Sequence, residues 1–170
     1  MSCRQILFCV ETNKNARTDW VYIEATIKRF YIDDRKIVYR PIFMGSKSMY
    51  RDTGLNKEIK TRIDKYPGET TVVYCIDVDD YDASPVTAKL NESIKNFCID
   101  KNFEFVFFSR DIEDVYLSRV VNDSEKIKCA ETFNRKKMIA NIDEKLLSKN
   151  TIKGRGSNVL IVLNKLLKRR

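Results

Sequence analysis

The sequence predicts an α/β protein with about four mostly parallel strands flanked by helices and followed by a helical C-terminal part. Three observations carry that prediction. Four short runs of strand-forming residues, "RQILFCVE", "KIVYRPIF", "TTVVYCID" and "FEFVFF", are separated by segments whose apolar residues recur at helical spacing. The runs are almost continuously apolar rather than alternating, as expected of strands covered on both faces of a parallel sheet. Beyond about residue 111 the strand-like runs cease and the spacing becomes helical. Strands alternating with helices imply βαβ units with right-handed crossovers.

The first run ends abruptly at Glu11, and a polar loop "TNKNAR" follows. In "TDWVYIEATIKRFY", Trp20, Ile23, Ile27 and Phe30 fall on one helical face, with Thr18 as the expected N-cap. The second run is interrupted late by Pro41, and after the loop "GSKSMYRDTG" the residues Leu55, Ile59 and Ile63 mark a second helix that stops near "YPG". The third run is the strongest. Ser84 and Pro85 then supply an N-cap and a first-turn proline for a third helix with Val86, Leu90, Ile94 and Phe97 as its stripe. After the fourth run, "DIEDVYLSRVV" reads as one helix. Ile127, Ala130, Met138, Ile142 and Leu146 read as a longer helical stretch breaking near Asn134, and "NVLIVLNKLLKRR" as a last helix capped by Ser157.

A chain of 170 residues with 43% hydrophobic and 33% charged residues suits one domain, residues 1–170, with a core of about 5–120 and a helical extension of about 121–170. No apolar run approaches the roughly 20 residues that span a bilayer, and "MSCRQILFCVE" is too short for a signal peptide, so a cytoplasmic location without membrane contact is expected. The five cysteines are widely spaced and never form C-x-x-C, which points neither to a disulfide framework nor to a zinc ribbon; Cys9 and Cys75 read as small core residues. The absence of histidine removes Ser-His and Cys-His catalysis, histidine-ligated zinc and histidine bases. Any catalysis must run on carboxylates, lysines, tyrosines or hydroxyls, with a hard metal ion. Lys plus Arg number 32 against 24 Asp plus Glu, a net charge of +8 that favours a polyanionic partner such as nucleic acid.

The stretch "VVYCIDVDDYD" drives an apolar strand straight into Asp77, Asp79, Asp80 and Asp82. Carboxylates crowded at the rim of a core repel one another and lose hydration unless a cation compensates. In open parallel sheets ligands bind beyond the carboxyl ends of the strands, where the strand order reverses. A 2-1-3-4 order would bring Glu11 beside the aspartates, with Asp77 and Asp79 on one side and Asp80 on the other if the strand persists that far. Mg²⁺ or Mn²⁺ suits such an oxygen-only set, which leaves positions for substrate phosphate. The plain alternative for the aspartates is a polar turn leading into the third helix. The late loop "KGRGS" places Lys153 and Arg155 before a helix N-terminus, a position suited to a phosphate; its plain alternative is a basic turn.

A glutamate ending the first strand and a D-x-D ending the third resemble the signature of Toprim domains, with Glu11, Asp77 and Asp79 as the matching residues. The resemblance is closest to the Toprim domains of OLD-family and related phage-defence nucleases, and spans roughly residues 5–120. "TDWVYIEA" looks like that family's segment after the first glutamate. "RDIEDVYL" looks like its segment after the fourth strand, with Glu113 as the metal-holding glutamate. Family members usually carry glycine directly after the first glutamate; here Thr12 and several more residues precede Thr18 and Asp19. The resemblance implies a Toprim/Rossmann-like fold and a Mg²⁺- or Mn²⁺-dependent nuclease acting on DNA or RNA, in phage defence. Glu11, Asp77 and Asp79 would be its core ligands, a second metal would bind through Glu113 or Asp80, Glu11 would alternatively act as general acid or base, and Lys153 would be a late functional lysine. The rival expectation is a non-catalytic nucleic-acid-binding or regulatory module that works with a partner protein or as a homo-oligomer. A haloacid-dehalogenase-type phosphotransferase ranks below both, because its D-x-D normally ends the first strand.

Overall fold

In the computed structural model, which describes residues 3–79 and 84–170, strands β1 (Arg4–Val10), β2 (Ile37–Phe43), β3 (Glu69–Asp77) and β4 (Glu104–Phe108) form an all-parallel sheet in the order β2-β1-β3-β4. This is an α/β fold with a helical C-terminal part. The inner strands explain the continuous apolar runs. Leu7, Phe8, Cys9 and Val10 of β1 and Val73, Tyr74 and Ile76 of β3 are fully enclosed, because helices cover both faces. Pro41 is tolerated because β2 lies at an edge and needs partners on one side only.

Helix α1 (Thr18–Phe30) and the later helices α5 (Lys126–Arg135) and α6 (Val159–Leu166) pack on the face bearing Ile6, Phe8, Val10, Val73 and Cys75. Helices α2 (Thr53–Lys65) and α3 (Pro85–Lys101) cover the opposite face, bearing Leu7, Cys9, Val72, Tyr74 and Ile76. The sequence stripe of α1 is buried as expected: Trp20, Ile23, Ile27 and Phe30 are all 8% exposed or less. In α3 the stripe is rotated, so that Ile94 and Cys98 are buried while Val86 stands 80% exposed. Ser84 caps α3 as expected, accepting the Thr87 N–H at 3.3 Å, with Pro85 in the first turn.

Other ends differ from expectation. Thr18 is already inside α1; the residue before it, Arg17, is left-handed and caps nothing with its side chain. The "DIEDVYL" helix, α4 (Ile112–Leu117), stops after six residues at the left-handed Ser118. The stretch after α5 is a short 3-10 turn at Met138–Asn141 followed by turns, not a continued helix. At α6, Ser157 accepts the Val159 N–H at 3.1 Å, but the N-cap position belongs to Asn158.

Asn158 does other work. Its Oδ1 accepts the Phe107 N–H and its Nδ2 donates to the Phe105 carbonyl, both at 2.9 Å, so a side chain supplies the partner that a fifth strand would give to β4. Replacing Asn158 by Ala leaves both groups unpaired and should cost about 1–3 kcal/mol in chemical denaturation. An unchanged midpoint would show that water substitutes fully at that edge.

No helix among the described residues is long and apolar enough to cross a membrane.

Candidate functional site

The β1–β3 ladder closes with Val10 opposite Cys75, and the acid one residue further along β1 meets the backbone two residues further along β3. Glu11 extends the ladder with its side chain: Oε1 accepts the Asp77 N–H at 2.7 Å. Asp77 in turn accepts the Ile112 N–H at 3.0 Å through Oδ1, tying the end of β3 to the first turn of α4. That helix carries Glu113, which is fully buried. Asp111 fixes the same helix start by accepting the Asp114 N–H at 2.7 Å. Glu11, Asp77 and Glu113 are thus knit together through backbone groups at the carboxyl edge of the sheet, at the point where strand order reverses.

Asp79 behaves differently. The strand ends at Asp77, and Asp79 takes a left-handed conformation (φ 51°), with its N–H donating to the Arg110 carbonyl at 2.9 Å. Arg110 is itself left-handed (φ 64°), so the tips of β3 and β4 each end in a conformation uncommon outside glycine. The two-residue periodicity expected for Asp77 and Asp79 therefore does not apply. Asp79 faces the connection after β2, where Lys47 pairs with its Oδ2. Asp80 and Asp82 lie outside the described residues.

Three residues outside the carboxylate motif join this edge. Asp19, 6% exposed at the start of α1, accepts the Thr12 N–H at 3.2 Å and so holds the turn that follows Glu11. Lys47, 9% exposed, donates to the Asp77 carbonyl at 2.6 Å as well as pairing with Asp79. Lys126, the first residue of α5, stands 3.3 Å from Glu113 Oε2 and 3.7 Å from Asp123. Helix α5 is fixed there by ring packing: Phe133 lies 4.8 Å from Tyr22 of α1 and 5.7 Å from Tyr116 of α4. Only Asp19 had a sequence signal, inside "TDWVYIEA". The lysines had none, since 32 basic residues offer no way to choose two.

The electrostatics follow from burial. Desolvation pushes the Glu11 carboxyl up from 4.5 to about 8; Lys47 and the Asp77 N–H oppose the rise, and Asp19 and Asp79 add to it. Burial likewise lifts Glu113 to about 7 against the pull of Lys126, and Asp19 to about 6 against the Thr12 N–H. Asp77 is raised well above the ordinary range by burial and then by Glu11, Asp19, Glu113 and Asp111. Lys126 is held more firmly protonated by Glu113, Asp77 and Asp111, which outweigh its burial. The acids outnumber the ammonium groups beside them.

Several buried oxygens without a hydrogen-bond partner lie on the same elements: Glu113 Oε1, the hydroxyls of Thr12 and Thr18, and the hydroxyl of Tyr22, while Glu113 Oε2 has the Lys126 ammonium at 3.3 Å. Excess carboxylate and unsatisfied hard oxygen donors fit Mg²⁺ or Mn²⁺ in kind. In the arrangement described, no three acidic or cysteine side chains among the described residues are drawn close enough to ligate one ion. Glu11 and Asp77 are together, while Asp79 is engaged by Lys47.

Lys153 is exposed in the bend before α6 and lines a groove of about 750 Å³ with Val78, Asn91 and Phe105; among the described residues it has no carboxylate partner. Arg155 pairs with Asp114 at 3.2 Å. The expected phosphate position at the α6 N-terminus is filled from within, since Val159 N–H donates to Ser157 and Leu160 N–H to the Leu147 carbonyl at 2.9 Å. Gly156 serves packing there: with φ 148°, an added Cβ would meet Lys149 Cγ at 2.4 Å and the Leu146 carbonyl oxygen at 2.7 Å.

No protein-family model matches the chain, and no curated protein or solved structure is significantly similar to it.

Proposed function

We propose that the chain is a Toprim-type, Mg²⁺- or Mn²⁺-dependent nuclease that hydrolyses phosphodiester bonds of DNA or RNA, of the kind used in phage defence. The observation that carries this reading is the gathering of Glu11, Asp19 and Glu113 around Asp77 at the strand-order reversal, more acids than Lys47 and Lys126 can answer. Glu11, Asp77 and Asp79 would hold the cation, with Glu113 and Asp80 available to a second. The cation would supply charge neutralisation at the scissile phosphate and a water of lowered pKa.

The remaining steps belong to the chain. Burial holds the Glu11 carboxyl up at about 8 in the cation-free protein, so where Asp77 and Asp79 hold the cation without it, Glu11 would instead be the group that gives a proton to the leaving oxygen. Asp77 holds α4 in register, so that Glu113 stays at the site. Asp19 fixes the backbone of Thr12 and thereby the direction in which Glu11 leaves β1. The net charge of +8 would hold the polyanion by its phosphates.

One observation favours the rival reading of a binding or regulatory module acting with a partner: Lys47 already neutralises Asp79. Metal-dependent stabilisation separates the two. Mn²⁺ or Mg²⁺ should raise the thermal midpoint of the wild type, since a ligand bound only by the folded state stabilises it. The Asp77→Asn protein should show no such rise. Cleavage of mixed DNA and RNA substrates with Mn²⁺ but not with chelator completes the case for an enzyme. A wild type indifferent to both metals, with no cleavage of either substrate, leaves the module reading.

A further inference from the structure

Lys47 is placed with unusual care for a lysine. It leaves the sheet just after β2, whose exit is fixed where the Met44 N–H meets the Val10 carbonyl at 2.9 Å, beside Glu11. It then opens a single 3-10 turn, Lys47–Met49, capped by Ser46, and α2 follows at once with Asp52 capping Leu55 at 3.0 Å. The side chain is 11% exposed, although a lysine normally keeps its ammonium in water. Two of its three donors are spent inside the acid cluster, one on the Asp77 carbonyl at 2.6 Å and one on Asp79 Oδ2. Sinking an ammonium and fixing four rotors costs more than an ordinary surface ion pair returns. The placement makes sense where the ammonium answers the surrounding carboxylates.

We propose that Lys47 is the site's internal counter-cation: it holds Asp79 in the cation-free protein and competes with a divalent ion for that carboxylate, so that loading requires Lys47 to leave Asp79. The inference rests on the metal-dependent reading above and assigns a positioning and gating role to a residue outside the resembled motif. Asp77 is tied to the Glu11 carboxylate and to α4, whereas the other carboxylate of the D-x-D pair, Asp79, is turned towards Lys47. Releasing Asp79 would free a third carboxylate to join those of Glu11 and Asp77. Lys47 thereby sets how much cation is needed before the site assembles.

The test is a calorimetric titration of Mn²⁺ into wild type, Lys47→Met, Asp79→Asn and the double variant at low salt. Removing a positive charge next to an incoming cation should tighten Mn²⁺ binding by about tenfold in Lys47→Met, and the gain should vanish in the Asp79→Asn background. Equal or weaker binding by Lys47→Met, or a gain that persists without the Asp79 carboxylate, overturns the proposal while leaving a metal site in place. A wild type that binds no Mn²⁺ overturns both the metal site and the role of Lys47. Wild-type protein alone gives a second readout that no folding defect can blur. Acetylation of Lys47 by an N-hydroxysuccinimide ester, mapped by mass spectrometry, should be slow without metal and severalfold faster with Mn²⁺; a rate that metal does not change overturns the proposal.

Discussion

Glu11→Gln and Asp79→Asn proteins should lose Mn²⁺-supported cleavage by about a hundredfold or more, the scale on which a single transition-state electrostatic contact acts, while keeping or strengthening their grip on nucleic acid. The two effects part because phosphate contacts by Lys and Arg need no carboxylate, and removing an acid lessens repulsion of a polyanion. The hydrogen bonds of the site support a clean comparison. Gln at position 11 retains an oxygen to accept the Asp77 N–H, and Asn at position 79 keeps the backbone bond to Arg110 and an oxygen for Lys47 while losing the charge. Rates from matched purifications, alongside binding by fluorescence anisotropy, would decide the matter. Equal cleavage by wild type and both variants would mean that the activity comes from elsewhere.

Through its buried acids the cation-free protein should be most stable near pH 4 and lose several kcal/mol by pH 8. The sign follows from the direction of the shifts. Glu11, Glu113 and Asp19 are raised to about 8, 7 and 6, so the folded state keeps protons that the unfolded chain releases near pH 4. Stability therefore falls as pH climbs from about 4 through these values and levels off above about 8. A divalent cation reverses the trend, because it binds the deprotonated acids; the midpoint gain with Mn²⁺ should be small at pH 5 and large at pH 8. Glu11→Gln mimics the protonated acid, so it should flatten the metal-free slope and raise the midpoint at pH 8. Denaturant melts across pH 5–8, with and without Mn²⁺, would read all of this. A stability that rises with pH in the absence of metal would mean that these acids are ionised and compensated in the fold.

Element by element, the sequence was informative wherever the local pattern and the tertiary environment make the same demand. The strands were legible because enclosure on both faces requires unbroken apolar runs, and Ser84 with Pro85 announced α3 through the same backbone groups that they satisfy. Helix ends were less so. At α6, Ser157 looked like the cap, yet Asn158 occupies that position and spends its side chain on β4, a partner 51 residues away for Phe107. No local rule contains that exchange. The "KGRGS" loop had the composition of an anion site, but its helix N–H groups are taken by Ser157 and Leu147, which only packing reveals.

The sequence by itself determined the α/β class, the parallel sheet, and the placing of Glu11 and Asp77 at strand ends, because strand period and chain order are enough to specify which residue leaves each strand. Tertiary structure alone decided which charges surround them. Asp79 leaves the strand direction where it and Arg110, each two residues past its strand, are left-handed and bonded to each other, and Lys47 and Lys126 reach the acids from 30 residues before and 49 residues after Asp77 in the chain. A carboxylate's protonation depends on the desolvation and countercharge it meets in space, and those are set by packing between segments that the chain's local pattern does not link.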